Sequence, residues 1–403
     1  MVERNKCMSI PKIRFNGTKQ NWEKAELSVY AKQYFVSNKN IHHHNLLSLS
    51  YGQIIRKDIK SKKGLLPSSY DTYQIVCKGI IVFRFTDLQN DRNSLRVGLV
   101  KEEGIITPAY ICVQCKGVMP EFFYLQLYAY DLRKIFYKMG NGMRQTLSYK
   151  DIKNLFIYIP PTQEQKKIIN HFDLLDKVID LTSKKLASLK RIKAASLQSM
   201  FPQEGETVPK VRFKGFEEEW ICVLFKEIAY KTGIKNSENL SLESYSISNE
   251  LGFIPQNEQF ENGGTMSKAD KRMYYIVSPK SFAYNPARIN VGSLGYYQGE
   301  RDVIVSSLYE VFKTSDIVDD LFLFYWFKTN IFKRMIEQYQ EGGVRLYFFF
   351  DKLQKCQIKV PSLLEQQKIA SYFCNLDKQI SLQTQRLEKL KQIKAACLDK
   401  MFV

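Results

Sequence analysis

No apolar run in this 403-residue chain approaches the ~20 residues that a membrane-spanning helix needs. The opening stretch, Met1 to Ser9, is polar and carries no apolar segment of the secretory kind, so the expected location is the cytoplasm. Cysteine is sparse: its positions (7, 77, 112, 115, 222, 356, 374 and 397) do not recur as a shared disulfide framework would require. They read as reduced thiols. Three of the four histidines are adjacent, at His42-His43-His44, and three successive side chains do not converge on one ion. Cys112-Val113-Gln114-Cys115 has metal-ligand spacing, but no second pair follows, and a strand-like run accounts for it by burial. No metal site is expected. The phosphate-cradling GxxxxGK[ST] loop is absent, as is a glycine-rich dinucleotide fingerprint. So is the Asn-Pro-Pro-aromatic tetrad of amino-methyltransferases: Asn285-Pro286-Ala287 matches it in two residues and lacks the aromatic that stacks on a flipped base. Negative charge is also in short supply, with 41 acidic residues against 60 basic ones, a net charge of +19. Such a balance in a non-secreted chain points to a polyanionic partner, nucleic acid above all, with a merely solvated lysine-rich surface as the plainer alternative.

What the chain does contain, it contains twice. Ile10-Pro11-Lys12-Ile13-Arg14-Phe15, Gly17 and Trp22 return as Val208-Pro209-Lys210-Val211-Arg212-Phe213, Gly215 and Trp220. Further on, Glu164-Gln165-Lys166-Lys167-Ile168 returns as Glu365-Gln366-Gln367-Lys368-Ile369. Phe172, Leu175-Asp176-Lys177, Ile192-Lys193-Ala194-Ala195 and Met200-Phe201 return as Phe373, Leu376-Asp377-Lys378, Ile393-Lys394-Ala395-Ala396 and Met401-Phe402. A repeat of whole-domain size implies two similar modules about an approximate twofold axis.

Each copy has a mixed part and a helical part. The mixed part alternates short β-rich runs, such as Ile80 to Phe83 and Tyr274 to Val277, with Gly, Pro, Asn and Asp turns. It also holds a helix expected over Glu121–Met139 and over Asp319–Gln340. The fold class is therefore α+β. After Pro160-Pro161 and after Pro361 the chain runs without glycine or proline to Phe201 and to its last residue. In the first run Ile168, Phe172, Leu175, Ile179, Leu186 and Leu189 recur at alternating three- and four-residue spacing. Ile369, Phe373, Leu376, Ile380, Leu387 and Leu390 repeat it in the second. Two such stripes predict long helices packed as an antiparallel coiled coil. Thr182 and Gln383 fill the polar step of each stripe, and that packing would set them near one another to fix register; half-exposed neutral positions are the other reading. The expected divisions are 1–160, 161–202, 203–361 and 362–403.

This pattern resembles the specificity subunit of type I restriction-modification enzymes along essentially its whole length. The architecture carries the resemblance, together with Val82-Phe83-Arg84-Phe85-Thr86-Asp87-Leu88-Gln89-Asn90-Asp91 and Gly104-Ile105-Ile106-Thr107-Pro108-Ala109-Tyr110. In the second copy the matching phrases are Phe282 to Ser293 and Ser306-Ser307-Leu308-Tyr309, and both helices open on Pro-(x)3-Glu-Gln-x-Lys-Ile. The resemblance implies a non-catalytic reader of double-stranded DNA. Each mixed part would be a target recognition domain for half of a split, asymmetric site, and the helices would be spacer and docking surface. Two methyltransferase (modification) subunits and two restriction (translocase-nuclease) subunits would be the partners, directing adenine methylation or restriction. S-adenosylmethionine, ATP and magnesium would belong to those partners, with no cofactor on this chain. A self-contained DNA methyltransferase or nuclease with an unfamiliar active site is the alternative, and a coiled-coil adaptor a third reading.

Base reading favours Arg for guanine and Asn or Gln for adenine, while phosphates favour Lys and Arg. Gly142-Met143-Arg144-Gln145 and Gly343-Val344-Arg345 are matched glycine loops that both lead into arginine, so Arg144, Gln145 and Arg345 are candidate DNA contacts, against a packing salt bridge. Arg84, Gln89, Asn90 and Arg96 join them in the first domain, with Arg288 and Asn290 in the second. Arg56, Lys57, Lys60, Lys62 and Lys63 read as phosphate contacts or a solvated loop.

Overall fold

The computed structural model describes every residue except 1–9, 18–19, 40, 42, 59–68, 87, 89–94, 140–145, 250–251, 260–269 and 344. The chain forms two compact units, one of Met1–Thr182 with Gln385–Val403, the other of Ser183–Thr384. Both long helices, Thr162–Ser199 and Leu363–Lys400, begin in one unit and end in the other. The compact units thus divide the helices between them, whereas the sequence divisions set each helix apart from its recognition domain.

In the first unit, β1 (Glu23–Glu26) pairs with β10 (Phe156–Ile159), bringing the start of the domain to its end. A four-stranded antiparallel sheet follows the order β2 (Ala31–Tyr34), β9 (Ile111–Cys115), β6 (Ile81–Phe83), β7 (Val97–Leu99). Central strand β6 is buried on both faces because alternate side chains serve two cores. Ile81 and Phe83 pack on the helix Pro120–Leu132, among Phe122, Phe123 and Leu127. Val82 and Cys112 face the opposite way, toward Leu47, Val76 and Ile106. That second layer comprises the hairpin β3 (Leu47–Ser50) and β4 (Gln53–Arg56), and the pair β5 (Gln74–Val76) and β8 (Gly104–Ile106), joined by a parallel bridge from Leu46 to Ile105.

The second unit repeats this plan. β11 (Ile221–Leu224) pairs with β21 (Gln357–Val360). The first sheet runs β12 (Ala229–Lys231), β20 (Glu310–Thr314), β17 (Ser281–Tyr284), β18 (Leu294–Tyr297). Its other layer is a continuous sheet, β13 (Ile234–Lys235), β16 (Tyr275–Val277), β19 (Val303–Val305), β14 (Ser244–Ser248), β15 (Gly252–Pro255). Here Phe282 and Tyr284 join the helix-side core, and Ala283 joins Ile247 and Val305 in the other. Two glycines hold the layers close. A Cβ on Gly98 would lie 2.5 Å from Leu49 Cδ1, and one on Gly295 would lie 2.9 Å from Phe253 Cδ2.

The helices within the recognition domains are shorter than the sequence reading. The first ends at Leu132 and gives way to a 3-10 turn, Phe136–Lys138, after Lys134 enters the left-handed region. Its counterpart breaks into Asp320–Trp326 and Asn330–Tyr339 because Thr329 caps the later piece, its hydroxyl bonding Trp326 O at 2.7 Å and facing Phe332 N.

The repeated motifs meet where each recognition domain joins a long helix. Arg14 donates two hydrogen bonds to Glu164 (2.9 and 2.7 Å), and Arg212 does the same to Glu365 (2.7 and 2.8 Å). Both glutamates are buried, with side chains 2% and 1% exposed, so a bidentate arginine is what makes their burial tolerable. The next residue works the same way in both units. Gln165 accepts from Met119 N at the domain helix's start and donates to Pro160 O, while Gln366 accepts from Asp319 N and donates to Pro361 O. The far end of the opposite long helix completes each core. Phe402 packs on Phe122 and Phe172 in the first unit, and Phe201 on Phe322 and Phe373 in the second.

Within each unit the helix segments run antiparallel. Cys397 lies against His171, and Lys394 bonds Asp176; in the other unit Lys193 bonds Asp377, and Ser196 meets Tyr372 at 2.9 Å. Every predicted seam residue is buried or half-buried. Thr182 is 6% exposed and its hydroxyl donates to Val178 O at 2.7 Å. The sequence reading places Thr182 and Gln383 near one another; the two belong to different compact units. Outward, Leu181 and Ile192 recur as Leu382 and Ile393, all four exposed. No described helix is long and apolar enough to cross a membrane.

Candidate nucleic-acid interface

The second unit gathers three of its predicted contacts onto neighbouring segments. After β17 the chain turns sharply: Asn285 Oδ1 accepts from Ala287 N at 3.0 Å, and a 3-10 turn, Ile289–Val291, ends on Gly292 at φ 96°. Glycine is required there, because a side chain at that φ is strained. The turn buries Ile289 and exposes Arg288 and Asn290. Nearby, Glu341 and Tyr347 exchange backbone hydrogen bonds of 2.9 and 2.8 Å, closing a tight loop with exposed Arg345 at its tip. Phe348 N donates to Pro286 O at 3.0 Å and ties that loop to the turn. Arg345 forms no ion pair with a described carboxylate.

In the first unit the same tie recurs at the matching place, from Leu147 N to Phe85 O at 3.2 Å. Arg84 N donates to Arg96 O, as Asn285 N donates to Ser293 O. These two backbone bonds, beside the segments that carry Arg288, Asn290 and Arg345, recur in both domains. Arg84 is half-buried, while Gln89, Asn90, Arg144 and Gln145 lie outside the described residues, as do Lys60, Lys62 and Lys63.

Two candidates change role. Arg96 is 1% exposed: its backbone N–H bonds the Asp131 carboxylate and its guanidinium donates to Thr86 O at 3.2 Å. Burial pushes the Asp131 carboxyl up to about 6. Arg96 is a core bracket and is withdrawn as a DNA contact, because no base or phosphate can reach it. Arg56 is exposed, but it is held in a two-pronged ion pair with Glu102, which offsets the charge it would offer a phosphate. Lys57 is exposed.

Cys112 and Cys115 lie three apart on one strand, so they point to opposite faces and into different cores. Burial pushes both thiols up to about 12, which keeps them protonated and poor as metal ligands. Among the described residues, no cluster of His, Cys, Asp or Glu is arranged to hold a metal.

Sequence reasoning missed a cleft in the second unit. A cavity of about 1070 Å³ lies between the β14–β15 hairpin and the domain helices, lined by Asn249, Phe253, Asn290, Phe324, Lys328 and Lys333 among others. The Lys328 ammonium sits 3.8 Å from the Phe324 ring centroid. Solvent reaches it through the cleft mouth, but the surrounding walls and the Lys193 charge lower it to about 8. Asp377 is already engaged, by Lys193 and by the Tyr325 hydroxyl at 2.9 Å. No sequence signal marks this set, because its residues come from separate elements.

Residues 105–191 and 253–392 match the family described as the Type I restriction modification DNA specificity domain. The Type I restriction enzyme MjaVIII specificity subunit of Methanocaldococcus jannaschii is 21% identical over 318 residues, 74% of this chain and 73% of that protein. Among solved structures, the type I restriction-modification system S subunit from M. genitalium has a TM-score of 0.56 at 14% identity, covering 98% of this chain and 99% of that one. A chain from a structure on the assembly and conformational transition of the type I R-M system scores 0.51 at 15% identity, covering 96% and 99%. At such identities these structures bear on the fold alone.

Proposed function

Because the chain belongs to the type I restriction-modification DNA specificity family, it is a DNA-recognition subunit rather than an enzyme, and we propose that it reads a bipartite, asymmetric site, one half per recognition domain. The observation that carries this reading is the matched frame. In each domain one backbone bond at the same place, Leu147 N to Phe85 O and Phe348 N to Pro286 O, joins the segment after the central strand to the one before the last strand, and the sequence sets an arginine three residues before each donor. Equal scaffolds with unequal surfaces are what two different half-sites require, since base edges are read by side chains and register is set by backbone and phosphate contacts.

The outer faces of the long helices dock two modification subunits, supported by the repeated exposed apolar positions Leu181 with Ile192 and Leu382 with Ile393. Two restriction subunits complete the assembly, which works in the cytoplasm. S-adenosylmethionine, ATP and magnesium belong to those partners. Adenine methylation or restriction is their chemistry, directed by this chain.

Methylome sequencing of the host with and without this gene tests the reading. One bipartite adenine-methylation motif should vanish when the gene is deleted. An unchanged methylome together with unchanged restriction of incoming DNA would reject it, and robust methyl transfer by the isolated chain would favour the self-contained enzyme instead.

A further inference from the structure

The cleft of the second unit has a defined origin in sequence. Counted from the matched helix starts after Met119 and Asp319, Tyr124 corresponds to Phe324 and Tyr128 to Lys328. In the first unit, the Tyr124 hydroxyl donates to Gly52 O at 3.1 Å, and Tyr128 packs so closely that a Cβ on Gly52 would lie 2.8 Å from its ring. The β3–β4 hairpin tip is therefore seated on the helix. In the second unit Phe324 has no hydroxyl to offer the tip, and Lys328 replaces the ring that would fill the space. A Cβ on Gly252, which stands where Gly52 does in the first unit, would meet nothing within 4 Å, and the cavity lies between the described hairpin residues and the helix.

Cations dominate what is free in that cavity. Lys193 is neutralised by Asp377, but Lys328 and Lys333 have no carboxylate partner among the described residues. The Lys328 ammonium is open to solvent and unpaired beside the Phe324 ring, so an arriving anion gains an ion pair without displacing a carboxylate. Asn290, exposed on the turn described above, lines the same cavity and supplies an amide donor.

We propose that this cleft seats a DNA-backbone phosphate on Lys328, with Lys333 as the second cation, in the second recognition domain and not in the first. The proposal rests on the DNA-reading function and adds an asymmetry to it: one domain grips the backbone through an open cleft, the other through its surface alone.

The full-length chain is titrated with a duplex at several salt concentrations, followed by fluorescence anisotropy. Each phosphate contact contributes about one to the slope of log affinity against log salt. Lys328→Met should lower that slope by about one and weaken binding roughly five- to tenfold at low salt, with Lys328→Arg keeping the slope. Thermal unfolding of each variant confirms that the fold is intact. Wild-type slope and affinity in a folded Lys328→Met would overturn the proposal and leave Lys328 resting on the Phe324 ring. Titration with inorganic phosphate and with AMP separates the sources: millimolar binding of either, lost in Lys328→Met while duplex binding is unchanged, makes the occupant a free anion and rejects the DNA-backbone assignment. If the wild-type chain and its assembled complex bind no duplex, the DNA-reading function itself fails, whatever the phosphate titration shows.

Discussion

The two recognition domains share a strand order, a helix-side core and an aromatic residue delivered by the end of a long helix, yet they part at the hairpin tip. In one, Tyr124 and Tyr128 hold Gly52 down; in the other, Phe324 and Lys328 stand in their places and line a cleft. The residues that repeat join each domain to its helices: Arg14 with Glu164, Arg212 with Glu365, Gln165 and Gln366, Phe402 and Phe201. Those that differ include core positions, such as Ile81 and Phe83 against Phe282 and Tyr284, as well as surface ones. A mounting of repeated residues bonded to one another lets the recognition surface change while the mounting stays fixed.

The mounting should give the largest effects, equal in both units. Glu164→Gln and Glu365→Gln each leave a mostly buried arginine without its carboxylate, an expected loss of about 3–5 kcal/mol. Phe402→Ala and Phe201→Ala should cost about 3–5 kcal/mol through the cavities they leave. Hydrogen exchange resolved along the chain checks the comparison: Phe402→Ala should loosen the first unit and Phe201→Ala the second. Losses that differ greatly between the paired variants would break the equivalence of the two mountings. Smaller, overpacking losses of about 1–3 kcal/mol are expected for Gly98→Ala and Gly295→Ala, where an added Cβ meets side-chain carbon of the facing layer.

The mounting was also the legible part. The repeated Ile-Pro-Lys-Ile-Arg-Phe and Glu-Gln phrases stand out in the chain, and their apolar spacing marks the helices. That they bind each other does not follow from spacing, because about 150 residues separate Arg14 from Glu164. Arg96 shows the limit for single residues. It stands in a turn-rich, polar stretch like any surface arginine, and only the closed fold reveals Asp131 and Thr86 waiting for it. Lys328 shows the converse, since its meaning comes from the absence of a tyrosine that the other copy has.

Recognition itself should divide between the domains. Arg345→Ala is expected to relax one half-site, and Arg144→Ala the other, each by ~1–3 kcal/mol of discrimination if they read bases. Binding to duplexes with either half-site altered measures this. A uniform loss over all sequences, with a shallower salt dependence, would make them phosphate contacts.

The finest effect sharpens the asymmetry through pH. Lys328 is lowered to about 8 from the ordinary lysine value by burial in the cleft wall and by Lys193, against a weaker pull from Asp377 and Cys374. Near neutral pH the ammonium is charged and available. As pH climbs through about 8 it loses its proton while a backbone phosphate keeps its negative charge, so duplex affinity should fall, by roughly three- to tenfold. Stability moves the other way. The unfolded lysine holds its proton up to the ordinary value of 10.5, so the unfolded state binds more protons than the folded one between about 8 and 10.5, and stability rises with pH over that window. Weaker binding alongside greater stability is a signature that general alkaline damage cannot imitate. The other groups facing the ammonium are Lys193, Asp377, Tyr325 and Cys374, and Lys333 lines the same cavity. Tyr325 is held well above its usual range by burial and the Asp377 charge, so its hydroxyl keeps its proton here. Cys374→Ser tests the thiol separately, and Lys328→Arg, whose charge does not titrate, should flatten the binding profile. A fall in affinity that persists unchanged in Lys328→Arg would move the titration to another group and remove the pH arm of the asymmetry between the two domains.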